Sequence, residues 1–161
     1  MQRTAILSDC GKFRYRLGRR WHSGPTLLFV MLNPSVANAH IDDPTIKKCM
    51  GFAARTGHSA IEVVNLFAYR ATHPRDLKLA GWPVGPDNQC HVESTAAEVV
   101  AVGGKIVCAW GSNARGRPEA EAMVTALTVF GGHSVYALSR LADGTPAHPL
   151  MLPYSCQLEV F

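Results

Sequence analysis

The feature that most restricts the fold is the apolar run at residues 27–32, which stops abruptly at Asn33-Pro34. A strand with one solvent-exposed face alternates apolar and polar side chains, whereas a strand buried on both faces is apolar throughout. The run therefore predicts a strand that is covered on both sides. Asn-Pro is a common way to begin a turn, so we expect the chain to leave the sheet at this point.

Strands and helices alternate along the rest of the chain. A turn at 9–11 separates residues 4–8 from 12–17, which predicts an N-terminal β-hairpin. Asp43 as N-cap and Pro44 at the first helical position begin a helix that Gly57 ends. The remaining predicted elements are strands at 61–67, 105–110, 133–138 and 157–161, and helices at 74–79, 86–102 and 118–130.

This order of elements indicates the fold class. Strands that alternate with helices form right-handed βαβ units and a mainly parallel sheet. We expect a single α/β domain over residues 1–161: a three-layer sandwich with a central sheet of about four strands plus the N-terminal hairpin. Ligands of such sheets bind beyond the carboxyl ends of the strands. The segments of interest are therefore 33–43, 65–72, 110–115 and 139–148.

Composition narrows the class of protein further. The chain has 161 residues, 47% hydrophobic and 17% charged, which is typical of a globular domain and not of a disordered chain. No apolar run approaches the roughly 20 residues that cross a bilayer, and the first residues lack the pattern of a signal peptide. We expect a cytoplasmic protein. The five cysteines include no CxxC pair, which favours free thiols over a zinc or redox site.

Positive charge is concentrated near the N-terminus. The net charge is +4, which permits an anionic partner such as DNA or a nucleotide. The alternation at 13–17 predicts a strand with one basic and one apolar face. That face is either a solvated edge or a surface that contacts phosphates. The basic residues of this segment are Lys12, Arg14, Arg16, Arg19 and Arg20.

Polar side chains cluster where the predicted strands end. Asn65 lies in an apolar strand, and a buried amide without partners costs about 1–3 kcal/mol. It is either a structural amide or a group that recognises a base, because an amide both donates and accepts. Asn33 leaves the same two alternatives open. Asp43 is explained as an N-cap, which argues against a carboxylate pair with Asp42. His148 lies in a loop and not on an apolar helical face.

Several familiar catalytic motifs are absent from the sequence. It contains no GxGxxG, no GxxxxGK[ST], no GxSxG and no HExxH. We therefore expect neither a dinucleotide site nor a P-loop nucleotide site. We also expect no nucleophile elbow of the serine-hydrolase type and no bound metal ion. Gly111-Ser112 after the third predicted strand can cradle a phosphate through backbone N–H groups.

Six runs along the chain form a distinctive set of motifs. They are Arg14-Tyr15-Arg16-Leu17 with Trp21, Met31-Leu32-Asn33-Pro34-Ser35-Val36-Ala37, Asp43-Pro44-Thr45-Ile46, Val63-Val64-Asn65-Leu66-Phe67-Ala68-Tyr69-Arg70-Ala71-Thr72, Cys108-Ala109-Trp110-Gly111 and His148-Pro149-Leu150. Over nearly the whole length of the chain, this set resembles the bacterial and phage domain-of-unknown-function family 1643. That family label implies no activity.

The order of these motifs also resembles, more distantly, the uracil-DNA glycosylase superfamily and especially its mismatch-specific branch. There the first strand ends in Gly-Ile-Asn-Pro-Gly, a later strand carries base-recognition groups, and a His-Pro-Ser or Asn-Pro-Ser loop follows the fourth strand. Here Asn33-Pro34 and His148-Pro149 occupy the corresponding places. Ser35 stands where that branch has its second glycine, and Leu150 stands where it has serine.

This distant resemblance implies a DNA or nucleotide base N-glycosylase that works without metal or other cofactor. Asn33 would position the water, and His148 would donate to the base oxygen or contact a phosphate. Asn65 would read the base edge, with Phe67 or Trp110 stacked on it. The expected base- or substrate-binding residues are Pro34, Ser35, Asp42, Asn65, Phe67, Arg70, Trp110, Gly111, Ser112 and Arg140.

Two other classes of function remain open. One is a nucleotide- or nucleic-acid-binding module that keeps the pocket but performs no chemistry. The other is a nucleotide or nucleoside hydrolase on the same sheet. The sequence specifies neither the base nor the choice between DNA and a free nucleotide.

Overall fold

A computed structural model describes all 161 residues of the chain. Four α-helices accompany seven strands, and a π-helical turn at Ala126–Phe130 extends the last helix. The strands are β1 (Gln2–Leu7), β2 (Arg14–Arg20), β3 (Thr26–Met31), β4 (Ala60–Asn65), β5 (Lys105–Cys108), β6 (Val135–Ala137) and β7 (Glu159–Val160). The helices are α1 (Pro44–Arg55), α2 (Pro74–Leu79), α3 (Asn88–Ala101) and α4 (Pro118–Thr125).

All seven strands belong to one mixed sheet with the order β1-β2-β4-β3-β5-β6-β7. The four central strands, β4-β3-β5-β6, are parallel, as the alternating pattern predicted. The sheet is larger than predicted, because the N-terminal hairpin joins it through antiparallel pairing of β2 with β4. At the opposite edge β7 pairs antiparallel with β6 and protects it.

Each face of the sheet carries its own hydrophobic core. On one face α1 packs Ile46 and Phe52 against the odd-numbered residues of β3. On the other face α3 and the π-helical turn pack Val92 and Leu127 against the even-numbered residues. Every residue of β3 is therefore buried, which explains why this segment is apolar throughout.

The connections on either side of β3 diverge, and this divergence creates a crevice. The chain leaves β3 through α1 on one face and returns as β4. It leaves the neighbouring strand β5 through α4 on the opposite face and returns as β6. Adjacent parallel strands whose connections go to opposite faces leave an opening at their carboxyl ends. Here that opening lies between the ends of β3 and β5.

The predicted strand at 13–17 is neither a solvent-exposed edge strand nor basic on one face only. β2 is an internal strand between β1 and β4. The register between β1 and β2 shifts at Tyr15, and this bulge places Arg14 and Arg16 on opposite faces. Arg16 forms ion pairs with Glu62 and Glu98 on the face that carries α3. The basic residues of the strand therefore do not form one exposed surface.

The last helix differs from its prediction in detail. The sequence pattern predicted one helix over 118–130, but α-helical geometry ends at Thr125 and a π-helical turn follows. Leu127 is buried in the core, whereas Phe130 is 82% exposed. The extra residue in a π-helical turn rotates the residues after it relative to an α-helix, so the 3.6-residue period does not identify their inner face.

No helix of this chain combines the length and the apolar character needed to cross a membrane.

The segment before α1 is anchored by a buried ion pair. The Arg19 side chain is fully buried, and its Nε donates to Asp42 Oδ1 at 2.7 Å. Its other guanidinium nitrogens donate to the backbone carbonyls of Gly18 and Asn38. Asp42 also pairs with Arg3, whose side chain is 31% exposed. These contacts hold the chain immediately before Asp43, which begins α1.

We expect Arg19→Met to lower the free energy of unfolding by about 3–5 kcal/mol, because it leaves a mostly buried carboxylate with only one partner. Arg3→Met is the control, since it removes the exposed partner of the same carboxylate and should cost no more than about 1 kcal/mol. Urea unfolding monitored by circular dichroism measures both. Equal losses in the two variants would contradict the assignment of Arg19 as the anchor.

Candidate functional site

A cavity of about 530 Å³ occupies the opening beyond the carboxyl ends of the central strands. The ends of β3, β4 and β5 and the loop that carries His148 contribute its walls. It brings together seven of the residues expected from sequence. Those seven residues are Asn33, Ser35, Asn65, Trp110, Gly111, Ser112 and His148.

Asn65 is the last residue of β4, and its side chain forms part of the cavity wall. The residue is 1% exposed, and neither Nδ2 nor Oδ1 has a hydrogen-bond partner within the protein. Its backbone carbonyl accepts a hydrogen bond of 2.9 Å from Asn88 Nδ2 at the start of α3. The strand end is therefore fixed from the opposite face while the side-chain amide stays unpaired.

Asn33 lies two residues after the end of β3, which is Met31. Its Nδ2 donates to the carbonyl of Ala71 at 2.8 Å and to that of Pro34 at 3.0 Å. The backbone N–H of Ala71 in turn donates to the Pro34 carbonyl at 2.9 Å. These bonds join the loops after β3 and β4, and they leave Asn33 Oδ1 as an oriented acceptor.

His148 is held with a defined tautomer. Its Nδ1 accepts a hydrogen bond of 3.2 Å from the Leu150 backbone N–H, so the proton of the neutral ring is on Nε2. Burial lowers the pKa of His148 below its ordinary value of 6.5, and the negative charge of Asp43 only partly offsets this. The imidazole is therefore neutral at pH 7 and acts as a hydrogen-bond donor through Nε2.

Gly111 supports His148 from the end of β5. Its backbone N–H donates to the carbonyl of Pro146 at 3.0 Å and ties down the loop that contains the histidine. Gly111 has φ 78° and ψ −175°, a conformation found almost only in glycine. A Cβ atom at this position would lie 2.9 Å from the Cβ of His148.

Two charged residues of the cavity were missed as site residues from sequence. Arg14 is 3% exposed, donates from Nη1 to the Ala37 carbonyl, and has no partner for Nε. Burial lowers its pKa to about 10, so it stays charged at neutral pH. No carboxylate forms an ion pair with it. Arg14 was hidden by the bulge at Tyr15, which a regular strand pattern does not reveal.

Asp43 is the second missed residue. Its Oδ1 accepts a hydrogen bond of 2.9 Å from the Ile46 backbone N–H, as an N-cap should. The same side chain also lines the cavity. Its negative charge favours the protonated forms of both Arg14 and His148. The capping role was a sufficient explanation of Asp43 in the sequence, so its position at the site was not expected.

Three expected residues lie outside this cavity because they are committed elsewhere. Pro34 is buried behind Asn33 and supplies a carbonyl acceptor. Asp42 is occupied by its two arginine partners. Arg140 donates to the Val160 carbonyl and lies over the Phe161 ring at the far edge of the sheet.

Phe67 and Arg70 follow β4 but also point elsewhere. Phe67 is fully buried in the core beside α3, where its ring lies 5.3 Å from that of Trp82. Of the two expected stacking residues, only Trp110 therefore lines the cavity. Arg70 lines a smaller neighbouring cavity together with Ser35.

Other chemical groups in the chain form no comparable cluster. No group of three or more His, Cys, Asp or Glu side chains is arranged to hold a metal ion. All five cysteines are free. Burial raises the pKa of Cys49 and of Cys108, the latter to about 12, so neither is a ready nucleophile.

Comparison with known proteins identifies the family. A family model described as a protein of unknown function, DUF1643, matches residues 14–150. The chain belongs to the DUF1643 family. This confirms the resemblance based on the sequence motifs. No curated protein and no solved structure matches the chain.

We expect Gly111→Ala to displace His148, because the added methyl carbon would lie only 2.9 Å from the His148 Cβ. The displaced ring should be less buried, so its pKa should rise toward 6.5. NMR titration of the histidine ring protons measures the shift. Gly116→Ala is the matched control, since Gly116 also has a positive φ of 68° but open space around its Cβ position. Each variant should lose about 1–3 kcal/mol of stability from backbone strain. A His148 titration that both substitutions leave unchanged would contradict the contact.

Proposed function

We propose that this protein binds a nucleobase in the cavity at the ends of β3, β4 and β5 and hydrolyses its N-glycosidic bond. The observation that carries the proposal is the unpaired, buried amide of Asn65 in the cavity wall. Each buried polar group without a partner costs about 1–3 kcal/mol. A ligand with a hydrogen-bond donor next to an acceptor would satisfy both amide atoms at once.

Nucleobase edges have this arrangement. A pyrimidine or purine edge presents a carbonyl beside a ring N–H, or an amino group beside a ring nitrogen, and an asparagine amide pairs with such edges in two hydrogen bonds. Trp110 also lines the cavity, although its ring packs in the core on the α3 side, beside the ring of Phe161. The Asn65 amide therefore favours a heterocycle with such an edge over a purely apolar ligand.

The groups for water activation lie on the side of β3 and α1. Asn33 Oδ1 is oriented by the two hydrogen bonds of its own Nδ2. Asp43 uses Oδ1 for the helix cap and retains its second oxygen as an acceptor. A water held by these two oxygens would be positioned for attack, and the Asp43 carboxylate would accept its proton.

Arg14 and His148 would act on the departing base. In the proposed step the water oxygen bonds to the sugar C1′, the C1′–N bond breaks, and its electron pair leaves with the base. The base becomes anionic before it takes up a proton. Arg14 supplies positive charge without a competing carboxylate, and His148 supplies the Nε2–H donor. Asp43 favours the positive charge that develops on the sugar.

The distant resemblance to uracil-DNA glycosylases is consistent with this assignment. It places the water-positioning asparagine at Asn33 and the base-contacting histidine at His148, and both residues line the same cavity. Ser35 and Leu150 differ from the corresponding residues of that superfamily. The proposed chemistry therefore follows from the side chains of this cavity themselves.

The proposal predicts release of free base from uracil-containing or modified oligonucleotides, or from nucleosides and nucleotides, detected by liquid chromatography and mass spectrometry. Asn33→Ala and His148→Ala should each lower the rate about a hundredfold, because the water and the leaving base lose their positioning groups. His22→Ala removes an exposed histidine and is the control. Base release that survives both site substitutions would place the reaction elsewhere. No release from any substrate, together with salt-dependent oligonucleotide binding, would favour a binding module.

The two interpretations of Asn65 predict opposite effects on stability. If the amide is kept for a ligand, Asn65→Leu should leave the free energy of unfolding unchanged or raise it, because an apolar group of similar shape replaces two unpaired polar atoms. The same variant should lose base binding. Thermal unfolding and binding measurements test the two parts separately. A loss of stability of 2 kcal/mol or more, on the order of a broken buried network, would instead identify a structural amide.

A further inference from the structure

A second, smaller cavity opens beside the first. It has a volume of about 330 Å³ and lies between the turn of the N-terminal hairpin and the loops after β3 and β4. Its polar side chains are Lys12, Ser35, Tyr69, Arg70 and Thr72, and none of its residues is acidic. The lining is thus strongly positive and rich in hydroxyl groups.

Arg70 is held in this cavity with unused donors. Its Nη1 donates to the Gly11 carbonyl at 3.1 Å, which fixes the guanidinium against the hairpin turn. Its Nε is buried and has no partner. The backbone N–H of Arg70 also donates to the Lys12 carbonyl at 2.9 Å, so the two basic residues are positioned by the same contacts.

The positive charge of this region is not neutralised within the protein. Neither Lys12 nor Arg70 takes part in an ion pair. Burial lowers the pKa of Arg14, the Asp43 carboxylate partly offsets this, and the nearby positive charge of Arg70 lowers it further. Three cations near one another, with no carboxylate bound to any of them, favour the binding of an anion.

The two cavities share part of their walls. Ser35, Val36, Ala71 and Thr72 line both of them. A ligand in the larger cavity can therefore extend past Ser35 and Thr72 into the smaller one. In a nucleotide the sugar joins a flat base to a phosphate, and this matches a polar base pocket next to a basic pocket.

We propose that Lys12, Arg70, Ser35 and Thr72 form a phosphate subsite, so the substrate is a nucleotide whose base occupies the larger cavity. This inference rests on the proposed function for its account of the base. The phosphate comes either from a free nucleotide or from a nucleic-acid strand, since both present the same anionic oxygens. Arg70 and Lys12 bind these oxygens through charge-assisted hydrogen bonds, and the two hydroxyls add neutral donors.

Ribose 5-phosphate is the decisive probe, because it contains the sugar and phosphate but no base. Isothermal titration calorimetry should show binding to the wild-type protein that Arg70→Gln and Lys12→Gln each weaken about tenfold or more. Lys12 is exposed, so its variant remains informative if Arg70→Gln proves unstable. Lys47→Gln and Arg75→Gln carry the same change in net charge at exposed positions outside both cavities and should bind as the wild type does.

Equal weakening in the site variants and the controls, or no binding of ribose 5-phosphate by the wild type, would overturn the subsite. Base release without that binding would leave the proposed reaction intact and refute only the subsite. Ribose 5-phosphate binding without any base release would support the subsite and refute the reaction.

Binding of two further ligands distinguishes a free nucleotide from a nucleic-acid strand as the source of the phosphate. A single-stranded thymidine dodecamer that binds the wild type more tightly than thymidine 5′-monophosphate, with a salt slope that falls in both site variants, would identify a strand. Tighter binding of the monophosphate would identify a free nucleotide. A dodecamer slope and a monophosphate affinity that neither site variant changes would count against the subsite for both ligands.

Discussion

The burial of β3 between two parallel neighbours determines where this protein can carry a binding site. Helices cover both faces of that strand, and its flanking connections diverge to opposite faces. The polar backbone beyond its end must be satisfied by loops, because no further strand continues there. The cavity is the space that those loops cannot fill. Its location therefore follows from the packing of the sheet and not from any single side chain.

The loops around the cavity satisfy their own backbone groups and leave selected side-chain atoms free. Asn33 uses its amide nitrogen on the Ala71 carbonyl, Gly111 uses its N–H on the Pro146 carbonyl, and Asn88 uses its amide on the Asn65 carbonyl. Each hydrogen bond fixes the position of a loop or strand end in the cavity wall. None of them uses Asn33 Oδ1 or the side-chain amide of Asn65. Such contacts fix the orientation of neighbouring side chains in advance, which catalysis by positioning would require.

The sequence predicted the parallel centre of the sheet, the cap of α1 and the strand ends at which the cavity lies, because periodicity and capping are local signals. The sequence did not predict on which face of the sheet each residue near a strand end lies. Phe67 follows Asn65 by two positions, as in a strand, yet β4 ends at Asn65 and Phe67 turns into the core. Arg14 reaches the cavity only because of the bulge at Tyr15, and a bulge leaves no distinct pattern of residue types.

Burying the charges of the cavity is costly, and this cost indicates which ligands the cavity favours. A buried arginine without a carboxylate partner lowers stability, and packing alone would be served better by an apolar residue. The Asp43 carboxylate partly offsets the effect of burial on Arg14, but the two side chains form no ion pair, and Asp43 also caps α1. A reaction that develops a cation on a sugar and an anion on a base would use both charges. Passive binding of an uncharged base would use neither.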